Sequence, residues 1–375
     1  MRADVFCRVI DNFGDIGVTW RLARQLTAEC GWDVRLWVDD LAVFGKIEPR
    51  LQPDAAIQTV CGLRIVRWNQ SREIADVEPA GLVIAMFSCE PDTAYRRRMR
   101  ETSSVLINVE YLSAESWVEG CHTLPALRAD GIPAHYFFPG FNPRTGGLPR
   151  EAALEHDRLA WLGDRPGQRA LMHRAGVSAQ GIDVWGSAQG ARLVSLFCYP
   201  HAPVDALLDA LVALGTPTLL LVPEGIAPEL GSQSRGALRI ERIAFLTQPD
   251  YDRLLWMADL NFVRGEDSIV RAIWAGKPAV WHIYPQTDDA HLAKLRAWLS
   301  IANLPEPAET AILAWNGHPD AIHTVQTAFN DSLSPSMIGD WTAATALFLR
   351  EQQKIPDLAH SLDRFCRGKL TAAGR

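Results

Sequence analysis

Five short runs in this chain are apolar almost without interruption: "LVIAMF" (82–87), "VLINV" (105–109), "LVSLFCY" (193–199), "TLLLV" (218–222) and "LNFV" (260–263). A strand with one face in water alternates apolar and polar residues. These do not, so both of their faces must be covered. Amphipathic stretches lie between them, such as Val204–Leu214, and Val18, Leu22 and Leu26 at four-residue spacing. Continuous strands alternating with helices give a mostly parallel sheet with helices on both faces. The expected fold class is therefore α/β.

The pattern occurs twice. Val5–Ile10 reads as a strand and is followed by the turn "DNFGD", a helix ending near Cys30-Gly31, and the strand-like "DVRLWVDD". Leu193–Tyr199 restarts the series, which runs through the helix Tyr251–Met257 and "LNFVRGEDSIVRAIWAGKPAVWHIY". "YFFPGFNPRTGGLPRE" (136–151) stands between the two series, and its length suggests a functional loop rather than a plain connector. Two Rossmann-like domains with a cleft between them are expected, which suits a chain of 375 residues. Leu358, Leu362 and Phe365 share one helical face, predicting a packed terminal helix.

Composition narrows the function. A net charge of −7 argues against a nucleic-acid partner, which would call for a basic face. The cluster Arg96–Arg98 with Arg100 reads either as a solvated helix face or as a docking patch for an acidic partner. Seven cysteines, an odd number with no CxxC pair and several inside apolar runs, suggest buried thiols in a reducing cytoplasm. Neither a signal peptide nor a membrane span is expected.

Ligands of doubly wound sheets bind beyond the carboxyl ends of the strands, which singles out two loops. In "VRGEDSIVRAIWAGKP" a strand gives way to a helix at Arg264-Gly265-Glu266-Asp267-Ser268. Ser268 and the first-turn amides suit a phosphate, and Arg264 adds a forked donor pair. Glu266 and Asp267 suit sugar hydroxyls, so a nucleotide sugar fits better than bare phosphate. Plain capping by Asp267 and Ser268 is the alternative. Phe197, Tyr199 and Phe245 at strand ends suit a base or sugar, with Gln248 on a base edge; core packing explains each aromatic equally well. Asp250-Tyr251-Asp252 spells the DxD of some metal-dependent sugar transferases, but its position before a helix suggests that Asp250 is an N-cap.

The second loop, "DNFGDIG", lacks the lysine and glycine spacing of a phosphate cradle and carries Asp11 and Asp15 instead. Two carboxylates would repel a diphosphate. They suit a cationic acceptor or a group that must lose a proton; local turn-making and capping are the alternative.

Taken together, "CRVIDNFGDIGVTWRLARQL", "NVEYLSAE", "FFPGFNPRTGGL", "FCYP", "FLTQPDYDRLLW", "NFVRGEDSIVRAIWAGKPAVWHIYPQ" and "DAHLAKLRAWL" resemble, in order and over nearly the whole chain, the EarP family of elongation factor P arginine rhamnosyltransferases. The resemblance implies a GT-B architecture, with an acceptor domain at 1–178 completed by a terminal helix at about 350–375, and a nucleotide-sugar domain at 179–349. It implies inverting, metal-independent transfer of rhamnose from dTDP-β-L-rhamnose to a guanidine nitrogen of one arginine on elongation factor P, without a cofactor. That modification serves ribosomes stalled at proline runs. By motif, Asp15 is the general base, Asp11 a second acceptor-side carboxylate and Glu266 the acidic residue of the donor domain. Asn12, Phe13, Gly14, Phe197, Tyr199, Phe245, Gln248, Tyr251, Arg264, Gly265, Asp267, Ser268 and Tyr284 are assigned to the dTDP-rhamnose pocket. A GT-B transferase with another sugar or acceptor, or a non-catalytic sugar-nucleotide-binding protein, remains the alternative.

Overall fold

Leu82–Met86 and Val105–Val109 are buried at every position, as continuous apolar strands require. They belong to the first of two sheets in the computed structural model, which describes residues 1–11, 13–68, 77–187, 190–319, 321 and 323–372. The chain divides into two compact units, Met1–Ala152 with Gln352–Arg375, and Ala153–Glu351.

In the first unit the strands are β1 (Arg2–Cys7), β2 (Asp33–Val38), β3 (Ile57–Val60), β4 (Leu63–Arg67), β5 (Leu82–Met86), β6 (Val105–Val109), β7 (Pro125–Ala126) and β8 (Ala134–Phe137). Their order is β3-β4-β2-β1-β5-β6-β8-β7, parallel except for the outermost pair on each edge. The chain winds away from β1 in both directions, so the switch point lies between β1 and β5. Asp4, fully buried on β1, anchors this half: it accepts from the Arg35 guanidinium, the Tyr95 hydroxyl, Trp37 Nε1 at 3.1 Å and the Ala80 amide at 2.8 Å.

The strand expected over Val5–Ile10 stops at Cys7. Beyond it the backbone amides bond to side chains instead of a neighbouring strand: Val9 to Asp39 at 2.9 Å, and Ile10 and Asp11 to Asp15 at 2.8 Å each. Residues 136–151 form a seam for the last segment of the chain. Arg150 donates to the carbonyls of Gln353 and Ile355, and the Leu358 amide to Leu148. The helix Leu358–Ala372 then buries Leu358 and Leu362, with Phe365 5.6 Å from the Phe137 ring.

The second unit holds β9 (Arg192–Leu196), β10 (Thr218–Pro223), β11 (Gln233–Arg235), β12 (Leu238–Ile243), β13 (Leu260–Arg264) and β14 (Ala279–His282), in the order β11-β12-β10-β9-β13-β14. Only the β11–β12 pair is antiparallel. Here the switch point lies between β9 and β13. Residues 153–178, read from sequence as part of the first domain, fall in this unit: Leu171, Met172, Ala175 and Val177 pack with Leu193, Leu219 and Leu221 of its sheet. The helix expected from Tyr251 begins at Gln248, capped by Thr247, whose side chain accepts from the Asp250 amide. Asp250 is therefore inside the first turn and is not the cap.

Candidate active site

The loops singled out from sequence both lie at switch points, one in each unit. In the first, the helix Phe13–Ala28 starts after the Asp11 turn. Asp15 is its third residue, 2% exposed, and its side chain reaches back to the Ile10 and Asp11 amides. Burial raises the Asp15 carboxyl above the usual carboxylate range. The bonds from Asp11, Ile10 and the Tyr111 side chain oppose that rise, and the charge of Asp39 adds to it. The result is a fixed carboxylate that is a stronger base than an exposed one. The Gly14 amide donates to the Asp11 carbonyl at 2.6 Å. A Cβ on Gly14 would come within 2.6 Å of Asp11 Oδ2, so a side chain there would displace that carboxylate. Phe13 opens the helix, half-buried; Asn12 lies outside the described residues.

Three further groups at this switch point were missed in the sequence. Phe87 and Ser88, directly after β5, both have left-handed backbones, φ 55° and 54°. Such geometry costs a non-glycine residue roughly 1–2 kcal/mol. Three contacts hold it: the Phe87 amide donates to Val109 O at 2.7 Å, Ser88 Oγ donates to Glu110 at 2.6 Å, and Phe87 stacks on Tyr111 with centroids 4.4 Å apart. Tyr111 in turn bonds Asp15. The strained corner thus joins the aspartate through an aromatic, and only the quoted "NVEYLSAE" hinted at it.

At the second switch point, Arg264 ends β13 and occupies the cap position of the helix Gly265–Ala275 without making a side-chain capping bond. Arg264, and neither Asp267 nor Ser268, therefore stands at the cap position of this helix. The amides of the first helical turn receive no cap from Arg264, and Gly265 takes φ +70°, a left-handed turn that favours glycine. Trp281 Nε1 fixes that turn by donating to the Gly265 carbonyl at 3.0 Å.

The Arg264 guanidinium lies 4.5 Å from the Phe197 ring centroid and 5.0 Å from that of Tyr199, and donates to Cys198 O at 3.0 Å. Phe197 neighbours Phe245 at 6.4 Å and Tyr251 at 5.6 Å, and Tyr199 meets Tyr284 edge-on at 5.6 Å. Gln248 Nε2 donates to Asp267 at 3.3 Å. Burial raises the Tyr251 phenol; Ser268 pulls it back, although the pair falls short of hydrogen-bond geometry. Of the donor-pocket side chains assigned from sequence in this unit, Arg264, Phe197, Tyr199, Phe245, Tyr251 and Tyr284 thus form one contiguous group, and Gln248 pairs with Asp267. Glu266 points to a partner the sequence did not suggest, Lys294, at 2.9 Å.

Asp250 and Asp252 part company. Asp250 pairs with Arg253 at 2.9 Å, whereas buried Asp252 receives Arg271 at 2.8 and 3.1 Å. Among the described residues, no group of three or more His, Cys, Asp and Glu is placed to hold a metal ion. Arg96 is tied to Asp130 at 3.2 Å and Glu90 at 3.4 Å, so that part of the basic cluster serves the fold.

The sequence profile of the family described as "Elongation-Factor P (EF-P) rhamnosyltransferase EarP" matches residues 3–367. The chain belongs to the EarP family. Protein-arginine rhamnosyltransferases of Pseudomonas aeruginosa and Neisseria meningitidis serogroup B are 42% and 34% identical to it, covering 96% and 78% of this chain and 98% and 77% of theirs. A solved structure titled for EarP-mediated arginine glycosylation of translation elongation factor EF-P superposes with a TM-score of 0.64 at 32% identity, covering 98% of this chain and 99% of that one. The spinosyn forosaminyltransferase SpnP, 13% identical with a TM-score of 0.54 over 99% of both chains, shares the fold. The EarP fold of this chain is thus the GT-B glycosyltransferase fold. No helix among its described residues is long and apolar enough to cross a membrane.

Proposed function

We propose that this chain is a cytoplasmic protein-arginine rhamnosyltransferase that moves rhamnose from dTDP-β-L-rhamnose to a guanidine nitrogen of one arginine on elongation factor P. Family membership and the kinship with protein-arginine rhamnosyltransferases support the reaction. The observation that carries the site reading is the buried, doubly bonded Asp15 carboxylate at the switch point of the first unit.

Arginine has a solution pKa above about 12, so its guanidinium is cationic and a poor nucleophile. Asp15 and Asp11 orient that cation. As a guanidine nitrogen attacks the anomeric carbon, Asp15 accepts its proton. The carbon–oxygen bond to the diphosphate breaks on the opposite face, with inversion, and dTDP leaves. A positioned base of this kind contributes roughly 10²–10⁴ in rate.

In the donor unit, Arg264 and the first-turn amides face the diphosphate and stabilise the charge that grows as it departs. These fixed positive groups take the part that a divalent cation plays in metal-dependent transferases, so we read the reaction as metal-independent. Phe197, Tyr199, Phe245, Tyr251 and Tyr284 supply faces for the base and sugar. Gln248 and Asp267 offer a paired edge, and Glu266, steadied by Lys294, accepts from sugar hydroxyls.

The test is to incubate the protein with dTDP-β-L-rhamnose and unmodified elongation factor P and then weigh the factor. One added deoxyhexose on an arginine is expected. Binding of dTDP without any transfer would instead favour a non-catalytic sugar-nucleotide-binding protein.

A further inference from the structure

Tyr199 rests on a histidine pair that the reaction as described does not use. His282, the last residue of β14 and 1% exposed, accepts at Nδ1 from the Tyr199 backbone amide at 3.2 Å. Its Nε2 lies 3.1 Å from Nε2 of His201. The rings interlock: His282 is edge-on to Tyr199 at 5.1 Å and to His201 at 4.8 Å, while His201 lies parallel to Tyr199 at 6.1 Å.

Proton counting fixes the tautomers. A backbone amide can only donate, so Nδ1 of His282 carries a lone pair and Nε2 carries the hydrogen. That N–H faces Nε2 of His201, where a neutral imidazole accepts it with its own hydrogen on Nδ1. Protonating His201 would set two N–H groups against each other. The charges acting on His282 are His201, Arg264 and His291; none is a carboxylate that would welcome a proton. His291 is itself fixed by accepting from the Gln286 amide at 3.1 Å.

We infer that His282 and His201 are positioning residues of the nucleotide-sugar pocket. His282 sets the backbone and ring of Tyr199, and the relay holds only while His201 is neutral, which makes nucleotide affinity fall on acidification. The inference rests on the assignment of Tyr199 to the donor pocket.

dTDP binding to the full-length protein, measured by calorimetry at about pH 7.5 and about pH 5.5, tests it. His282→Gln keeps an N–H toward His201 but leaves the Tyr199 amide without its acceptor. It is expected to weaken dTDP about 2–10-fold at both pH values, the worth of one hydrogen bond. His282→Asn puts an oxygen where Nδ1 was and restores most of that loss. It also has no N–H for a protonated His201 to oppose.

The terminal phosphate of dTDP titrates at roughly pH 6 and acts on every variant alike, so the readout is the ratio of wild type to His282→Asn. On acidification, wild type should weaken about 2–10-fold relative to His282→Asn. A ratio that does not change with pH would overturn the role of His201, and equal losses in the Asn and Gln variants would overturn that of His282. Arg264→Ala is the control: unchanged dTDP binding there would mean that the donor assignment itself, rather than the relay, has failed.

Discussion

The two strand-to-helix turns of this chain sit at matching places in their sheets and aim their carboxylates differently. Each lies at a switch point, and each places an aspartate at the third residue of the helix: Asp15 after Phe13-Gly14, and Asp267 after Gly265-Glu266. They differ in where that carboxylate points. Asp15 folds back onto the Ile10 and Asp11 amides and takes the place an anion would seek. Asp267 turns aside to Gln248, and the turn is left to Arg264. On the proposed function, the same fold position excludes anions in one unit and receives the donor diphosphate in the other.

The largest effect that could break this comparison is on transfer. Asp15→Asn keeps the shape of the first turn and removes the proton acceptor, so the transfer rate should fall by about 10²–10⁴. The folded state already disfavours the charged form of Asp15, whose carboxyl is raised by burial. The neutral variant should therefore melt no lower than the wild type in calorimetry near neutral pH. A wild-type rate with saturating substrates would remove Asp15 from the chemistry.

Next comes the framework on which the second turn rests. Asp252→Ala leaves the buried Arg271 without its carboxylate and should cost about 3–5 kcal/mol in denaturant unfolding. A cost near zero would mean that the pair does not hold the donor unit together.

Acid sharpens the contrast more gently. Burial, reinforced by His201, Arg264 and His291, pulls His282 down to about 3, so it stays neutral in the fold. Unfolded, it would take up a proton below about pH 6.5. The stability tied to this group is thus fully present above that pH and is lost as pH falls toward 3, at up to about 1.4 kcal/mol per pH unit. His282→Asn should flatten that slope in urea titrations across the same window.

The smallest effect concerns Tyr111→Phe, which removes one hydrogen bond from Asp15. The Asp15 carboxyl should rise further, moving the acid limb of the kcat/KM profile upward, with a rate change of about 2–10-fold. An unmoved limb would separate Tyr111 from the base.

Where burial was continuous, the sequence showed the fold nearly to the residue: Val105–Val109 is the strand expected there. It misled where side chains take over from the ladder. Val9 and Ile10 are apolar enough to extend β1, yet their amides go to Asp39 and Asp15, and Ile10 is 64% exposed. The true start of the helix at Gln248 was written in Thr247 and Pro249, a cap followed by a proline in the first turn. The domain boundary was not legible, because helices at 154–186 could cover either sheet until their packing was seen. The candidate site residues were named from the quoted motifs, whereas Lys294 against Glu266 and His201 against His282 pair across the unit's fold and leave no local signal.

The central claim is that the charge is divided between the turns, with the acceptor at Asp15 and the donor at Arg264. The dTDP dissociation constant, measured side by side in Asp15→Asn and Arg264→Ala, tests it most directly. The account predicts wild-type affinity in the first and a loss of about 10–100-fold in the second, the worth of a charged hydrogen bond. Weakened dTDP in Asp15→Asn with unchanged binding in Arg264→Ala would contradict it.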